Sequence, residues 1–315
     1  MKTKRLAVVL FGPTAAGKTA ASLRLAAAVG GEIINADSRQ LYQDMPIITA
    51  MPTAAERAVV PHHLFEVLPP LADFSVNDWL QQVHQIAAGI WARGGVPFIV
   101  GGTGFYLDVL MRGISPVPAT DSALLADLEA AYSQEGWAAM LARLRAVDAT
   151  AAAQLKAGDK QRLLRALAVY EGTGRPLSSW QQIPREGALP AQFLKLAVCP
   201  PRPVLYQRIT DRYTDMLAQG LLAELEGLYK NYQTYLDDPA RTLPGALSSI
   251  GLPEFAAYFK GEKSLEDVNA ITLQKMRNYA KRQTTWLRHN YVADILAETG
   301  DDPQLDAAVE AFVCP

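Results

Sequence analysis

The stretch "LAVVLFGPTAAGKTAASLRLAAAV", residues 6–29, constrains the fold more than any other part of the chain. An apolar β-like run ends at Phe11, and Gly12, Gly17, Lys18 and Thr19 then fill the pattern G-x-x-x-x-G-K-[ST] before a helix-like run begins. Strand, tight loop and helix start, in that order, are the setting in which this pattern cradles phosphate. The glycines let the backbone wrap close to an anion, and the loop amides face inward beside the positive end of the helix. Lys18 adds a mobile positive charge. The Thr19 hydroxyl is placed to hold a magnesium ion that bridges phosphate oxygens. A phosphate or pyrophosphate site is therefore expected, although the pattern alone does not specify ATP.

β-like runs at 5–11, 32–36, 97–101 and 192–199 alternate with helix-like stretches. Such alternation predicts an α/β fold, a P-loop-type parallel sheet with flanking helices on both faces. Residues 75–93 open on a Ser and repeat apolar residues at helical spacing, so they predict a crossover helix. The Pro-rich "SPVPAT" (115–120) marks a hinge, and 121–188 reads as an inserted all-helical subdomain before the strand at 192–199 returns to the sheet. Residues 1–120 and 189–315 would then form the core with its C-terminal helices. Residues 203–232 and 264–289 read as long amphipathic helices, and the residues beyond 290 carry no site signal.

The first apolar run is broken at Gly12 and Pro13, too soon for a signal peptide or a membrane span, so a cytoplasmic protein with no membrane association is expected. Its two cysteines, Cys199 and Cys314, make neither a disulfide framework nor a cysteine metal site. A net charge of −2 excludes a protein coated in basic residues, but leaves local basic clusters open.

Three other stretches carry chemistry. "EIINADSRQLY" (32–42) puts Asp37 and Ser38 at the end of the second strand, where ligands bind in open parallel sheets. A carboxylate beside a phosphate cradle suits a metal or a proton transfer; the alternative is a turn in which the Asp caps the next segment. "PFIVGGTGFYLDVL" (97–110) ends its strand on Gly101, Gly102 and Thr103, without the acidic residue that motor and switch NTPases place there for magnesium. Phe105 and Tyr106 offer flat surfaces for a base or a prenyl group, unless the stretch is only a tight turn. "TLQKMRNYAKRQTTWLRH" (272–289) carries Lys275, Arg277, Lys281, Arg282 and Arg288 without an acidic residue, opposite a stripe of Leu273, Met276, Ala280, Gln283 and Leu287. That is an amphipathic helix whose cationic side is either solvated or phosphate-contacting. His62 and His63 are adjacent, cannot both face one metal from a regular element, and read as structural.

The blocks "GPTAAGKT", "NADSRQLY", "VPHHLFEV", "VGGTGFYLDVLMRG", "DKQRLLRALAVYEGTGRPLS" and "KRQTTWLR", in that order, resemble the tRNA dimethylallyltransferase (tRNA isopentenyltransferase) family. The resemblance implies transfer of a dimethylallyl group from dimethylallyl diphosphate to N6 of adenosine 37 in the tRNA anticodon loop. It implies that the cradle of Gly12, Pro13, Thr14, Ala15, Ala16, Gly17, Lys18 and Thr19 holds the donor's diphosphate, with Thr14 and Arg212 on the leaving group. It makes Asp37 the general base and sets Thr103 against the base or backbone of the tRNA. Ser38, Arg39 and Gln40 would meet the flipped nucleotide, while Gln161, Arg162, Leu163, Leu164, Arg165, Lys281 and Arg282 would grip the tRNA around it. Mg²⁺ held through Thr19 is the cofactor it implies, the anticodon stem-loop the partner, and a monomer the acting species. Ile48 and Met51 stand where the family usually has Gly and Lys, and Leu252 where it usually has Tyr. Two other readings share the cradle: a small-molecule P-loop kinase using ATP, and an adenylate isopentenyltransferase acting on free nucleotides. The basic helix with Trp286 weighs against the first, and the helical insert against the second.

Overall fold

A computed structural model describes residues 5–238 and 242–314. The chain forms two compact units: one from the residues up to Met111, Leu189–Asp237 and Leu243 onward, the other from Arg112–Ala188 with Asp238 and Thr242.

In the first unit, among the described residues, six strands form one sheet: β1 Leu6–Phe11, β2 Gly31–Asn35, β3 His62–His63, β4 Val96–Gly101, β5 Gln192–Val198 and β6 Ile295–Ala297. All pairings are parallel, in the order β3-β2-β4-β1-β5-β6. β1 lies between β4 and β5, with Val8 opposite both Phe98 and Leu194, and is buried from Ala7 to Phe11. This placement is why the strand reads as an unbroken apolar run rather than an alternating one. The loop after β1 therefore opens at the carboxyl edge of the sheet, flanked by the ends of β4 and β5.

The helices α1 Lys18–Ala28, α2 Ala54–Arg57, α3 Val76–Ala92 and α4 Gly104–Arg112 follow their strands. α3 starts at a reciprocal cap: Ser75 Oγ accepts the Asp78 N–H at 3.2 Å, and the Asp78 carboxylate accepts the Ser75 N–H at 2.9 Å. Its buried stripe is Trp79, Leu80, Val83, Ala87 and Ile90, the larger side chains each contributing on the order of 1–3 kcal/mol by leaving water.

The second unit is helical: α5 Ser122–Val147, α6 Ala149–Gln154, α7 Lys160–Thr173 and α8 Leu177–Gln181. Its core joins Leu128, Met140 and Leu144 of α5 to Leu163, Leu164 and Leu167 of α7. The unit begins at Arg112 rather than at residue 121, because Ile114 pairs with Glu186 through N–H to O bonds of 2.8 and 3.0 Å.

Returning to the first unit, α9 Arg202–Ala218, α10 Leu221–Leu236, α11 Leu252–Phe259, α12 Leu265–Asn290 and α13 Pro303–Val313 complete it. The single helix expected over 203–232 is two, because Gly220 takes a left-handed conformation (φ 102°) and turns the chain. The residues beyond 290 extend the sheet with β6, and Leu305 and Val309 of α13 join the core beside Ala21, Leu25 and Ala26 of α1.

Candidate active site

The phosphate loop begins where the sheet admits only glycine: a Cβ on Gly12 would stand 2.5 Å from the Val198 carbonyl oxygen on β5. Positive φ at Ala15 (63°) and Gly17 (99°) then curls the chain into a cup. Lys18 folds back over this cup and donates to the Pro13 carbonyl at 2.9 Å. The surrounding protein desolvates the Lys18 ammonium and lowers its pKa to about 8, with Asp37 opposing the shift and Arg212 adding to it. One turn apart on α9, Arg208 donates to the Ala16 carbonyl at 3.3 Å and Arg212 to the Thr14 hydroxyl. Desolvation also lowers the pKa of Arg212, and Asp37 again opposes the shift. Two desolvated cations thus stand at the loop within the field of one carboxylate.

That carboxylate is held by β2. Asn35, fully buried, accepts the Asp37 N–H at 2.7 Å and donates to the carbonyls of Leu64 (2.9 Å) and Asp37 (3.0 Å). Trp79 of α3 fixes the Asn35 backbone by donating to its carbonyl at 2.8 Å. Asp37 Oδ1 accepts the Arg39 N–H at 2.9 Å, so the capping turn considered from the sequence does form, and it aims the carboxylate.

β4 ends against β2. A Cβ on Gly101 would sit 2.1 Å from the Ala36 carbonyl oxygen, which accepts the Thr103 N–H at 3.2 Å. Thr103 Oγ1 accepts the Ser38 N–H at 3.1 Å, and the Tyr279 hydroxyl lies beside it. Burial and the Asp37 charge raise the Tyr279 phenol well above its ordinary range. Asp37, Ser38, Thr103 and Tyr279 therefore form one connected edge facing the phosphate loop.

Other expectations meet their surroundings differently. The Gln40 amide braces the neighbouring loop by donating to the carbonyls of Thr49 (3.0 Å) and Ala50 (2.9 Å), and Arg39 donates to the Gly245 carbonyl. Tyr106 is not an open surface: it is buried against Trp79 with ring centroids 4.6 Å apart, leaving Phe105 as the exposed aromatic. Leu163 and Leu164, expected to touch tRNA, lie inside the core of the helical unit, where their side chains pack on Met140 and Leu144 and reach no solvent-borne partner. In the same unit Gln161 and Arg162 are exposed, whereas Arg165 donates to the Pro118 carbonyl at 3.0 Å. Leu252, where the family pattern has Tyr, is fully buried at the start of α11. The N–H groups of Ile47 and Ile48 are bound by the Glu224 carboxylate at 2.7 and 2.9 Å. His63 pairs with Glu32 at 2.8 Å and His62 bonds the Val60 carbonyl at 2.7 Å.

The basic run on α12 divides. Lys275 is paired with Glu254, and Arg277 donates to Thr210 Oγ1 at 3.0 Å, so neither belongs to a free cationic face. Lys281 and Arg282 are exposed and line an open hollow of about 510 Å³ with Trp286 and His289. Trp286 also packs inward: its ring lies 4.9 Å from that of Phe11, and a Cβ on Gly104 would meet it at 2.2 Å.

Residue patterns miss the role of Tyr279 and Gln283. Gln283 sits in the buried stripe of α12, accepting the Thr14 N–H at 2.8 Å and donating to the Gly102 carbonyl at 2.9 Å. An amide among apolar stripe residues was the available signal, because a buried polar group needs partners.

No group of three or more His, Cys, Asp or Glu side chains among the described residues is arranged to hold a metal. The Thr19 hydroxyl, on the first turn of α1, is a single oxygen donor. Such a sparse set does not build a protein cage, but it fits magnesium carried by phosphate oxygens, which keeps much of its water.

Fold and site together define a P-loop-type α/β enzyme in which a glycine loop with two desolvated cations faces a carboxylate edge. The sequence matches the IPP transferase family over residues 40–290 and the isopentenyl transferase family over residues 6–60. A tRNA dimethylallyltransferase of Stenotrophomonas maltophilia (strain R551-3) is 39% identical over 309 residues, covering 98% of this chain and 97% of that protein. The full-length tRNA isopentenylpyrophosphate transferase of Bacillus halodurans superposes with a TM-score of 0.67 at 31% identity, covering 98% of both chains. A eukaryotic dimethylallyltransferase acting on tRNA gives a TM-score of 0.78 at 28% identity, covering 98% of this chain and 77% of that one. The chain belongs to the IPP transferase family, enzymes of prenyl transfer.

Proposed function

We propose that the chain transfers the dimethylallyl group of dimethylallyl diphosphate to N6 of adenosine 37 in a tRNA anticodon loop, releasing diphosphate. The observation that carries this reading is the pairing of a desolvated cationic cradle, Lys18 with Arg212, and the Asp37 carboxylate whose charge acts on both. The named relatives support tRNA as the acceptor.

In the reaction the C1–O bond of the donor breaks and its electron pair leaves with the diphosphate. Lys18, Arg212, the Thr14 hydroxyl and the loop amides stabilise that charge, and one such donor is worth roughly 10²–10³ in rate. The adenine amine is a poor nucleophile because its lone pair is delocalised into the ring. As N6 bonds to C1 it must release a proton, which the Asp37 carboxylate accepts, a step worth roughly 10²–10⁴. The Thr19 hydroxyl would hold a magnesium ion, which would further neutralise the leaving group. Thr103 and Ser38 form the acceptor side, braced by Arg39 and Gln40, where a nucleotide extruded from a single-stranded loop enters at a cost of a few kcal/mol. Lys281 and Arg282 meet the tRNA backbone, and Gln161 and Arg162 meet neighbouring nucleotides.

The test is incubation with labelled dimethylallyl diphosphate, magnesium and either unmodified tRNA or AMP. Label is expected in tRNA alone. Label in AMP, or phosphoryl transfer from ATP to a small acceptor, would overturn the reading in favour of a free-nucleotide prenyltransferase or a kinase.

A further inference from the structure

Two backbone segments that must face each other share one side chain. The Gln283 carboxamide, 4% exposed on α12, takes the Thr14 N–H of the phosphate loop on Oε1 and gives its Nε2 proton to the Gly102 carbonyl of the turn after β4. Its orientation follows from chemistry, since an N–H can be met only by the amide oxygen and a carbonyl only by the amide nitrogen. Gly102 makes room for it: a Cβ there would stand 2.2 Å from Gln283 Nε2. The Thr14 N–H is spent on this bond, while the Thr14 hydroxyl is met by Arg212. One helical turn earlier, Tyr279 reaches Thr103, which receives the Ser38 N–H. α12 thus holds the donor loop and the acceptor edge by residues on one face.

We propose that Gln283 is a positioning residue for prenyl transfer, fixing the gap between the phosphate loop and the Gly102–Thr103 turn without touching either substrate. The inference rests on the prenyl-transfer reading above. Joining two bound molecules depends steeply on their approach, and a displacement of about 1 Å costs on the order of 10²-fold in rate. Binding of each substrate depends on other groups: Lys18 and Arg212 for the diphosphate, Lys281 and Arg282 for the tRNA.

Gln283→Leu removes both bonds at similar volume. Gln283→Glu keeps an acceptor for Thr14 but sets a carboxylate against the Gly102 carbonyl, and Gly102→Ala displaces the same carboxamide from the other side. Single-turnover rates at saturating donor and tRNA are compared with the Kd of inorganic diphosphate and of tRNA. The expected result is a fall of about 10²-fold in rate for each folded variant, with both Kd values within about threefold of wild type. The Gln283→Leu/Gly102→Ala pair should be no slower than its slower member, because both changes break one link. Rates near wild type, a rate loss matched by an equal loss of diphosphate affinity, or additive losses in the pair would each overturn the proposal. If circular dichroism shows that Gln283→Leu does not fold, Gln283→Glu and Gly102→Ala carry the comparison. Failure of the wild-type chain to label tRNA at all would instead defeat the underlying reading, before any variant is made.

Discussion

Asn35 holds Asp37 at both ends of its backbone, accepting its N–H at 2.7 Å and donating to its carbonyl at 3.0 Å. The donated bond shares the Asn35 amide with Leu64, so one fully buried side chain ties β2, the Asp37 turn and the segment after β3. Asn35→Leu would leave these groups unpaired in a dry site at about 1–3 kcal/mol each. A clearly lowered Tm is expected by calorimetry, with a loss of kcat that exceeds any change in donor KM.

Asp37→Asn keeps an oxygen for the Arg39 N–H and removes the charge, so the turn survives and the proton acceptor does not. Turnover on tRNA should fall by roughly 10²–10⁴, with diphosphate binding retained. The same change deprives Lys18 of the charge that raises its pKa, so that pKa should drop further below about 8, which titration of labelled lysine by NMR would detect.

Diphosphate binding by the wild-type protein should weaken as pH rises through about 8, because Lys18 then loses its charge. Folding stability responds with the opposite sign. Between about 8 and the ordinary 10.5, the unfolded chain keeps a proton that the folded chain has released, so this group makes stability rise with pH. Isothermal titration with inorganic diphosphate from pH 7 to 9 checks the first effect, and Lys18→Met should flatten both.

Lys281→Ala and Arg282→Ala should weaken tRNA binding and each reduce the slope of log K against log salt by about 0.7–0.9. Lys275→Ala should leave that slope unchanged, because its ammonium is paired with Glu254. Filter binding across a salt series distinguishes the two groups.

Elements set by neighbours in sequence were legible before any tertiary structure. The cradle from Gly12 to Thr19 needs only a strand, two glycines and a helix start, and the Ser75–Asp78 cap and the stripe of α3 repeat within a few residues. The edge strand β6 was not legible, because three residues gain their strand character only by pairing with β5. Leu163 and Leu164 share one motif block with Gln161 and Arg162, but helix rotation buries the apolar pair and exposes the polar one.

The order of residues alone settled the glycine loop after β1, the parallel α/β class and the acidic turn at Asp37, since backbone geometry and side-chain periodicity act over short spans of chain. Only the folded molecule decided what completes the site. Gln283 meets Thr14 across 269 residues and the Gly102 carbonyl across 181, and contacts of that range depend on how strands and helices stack, which local spacing does not encode.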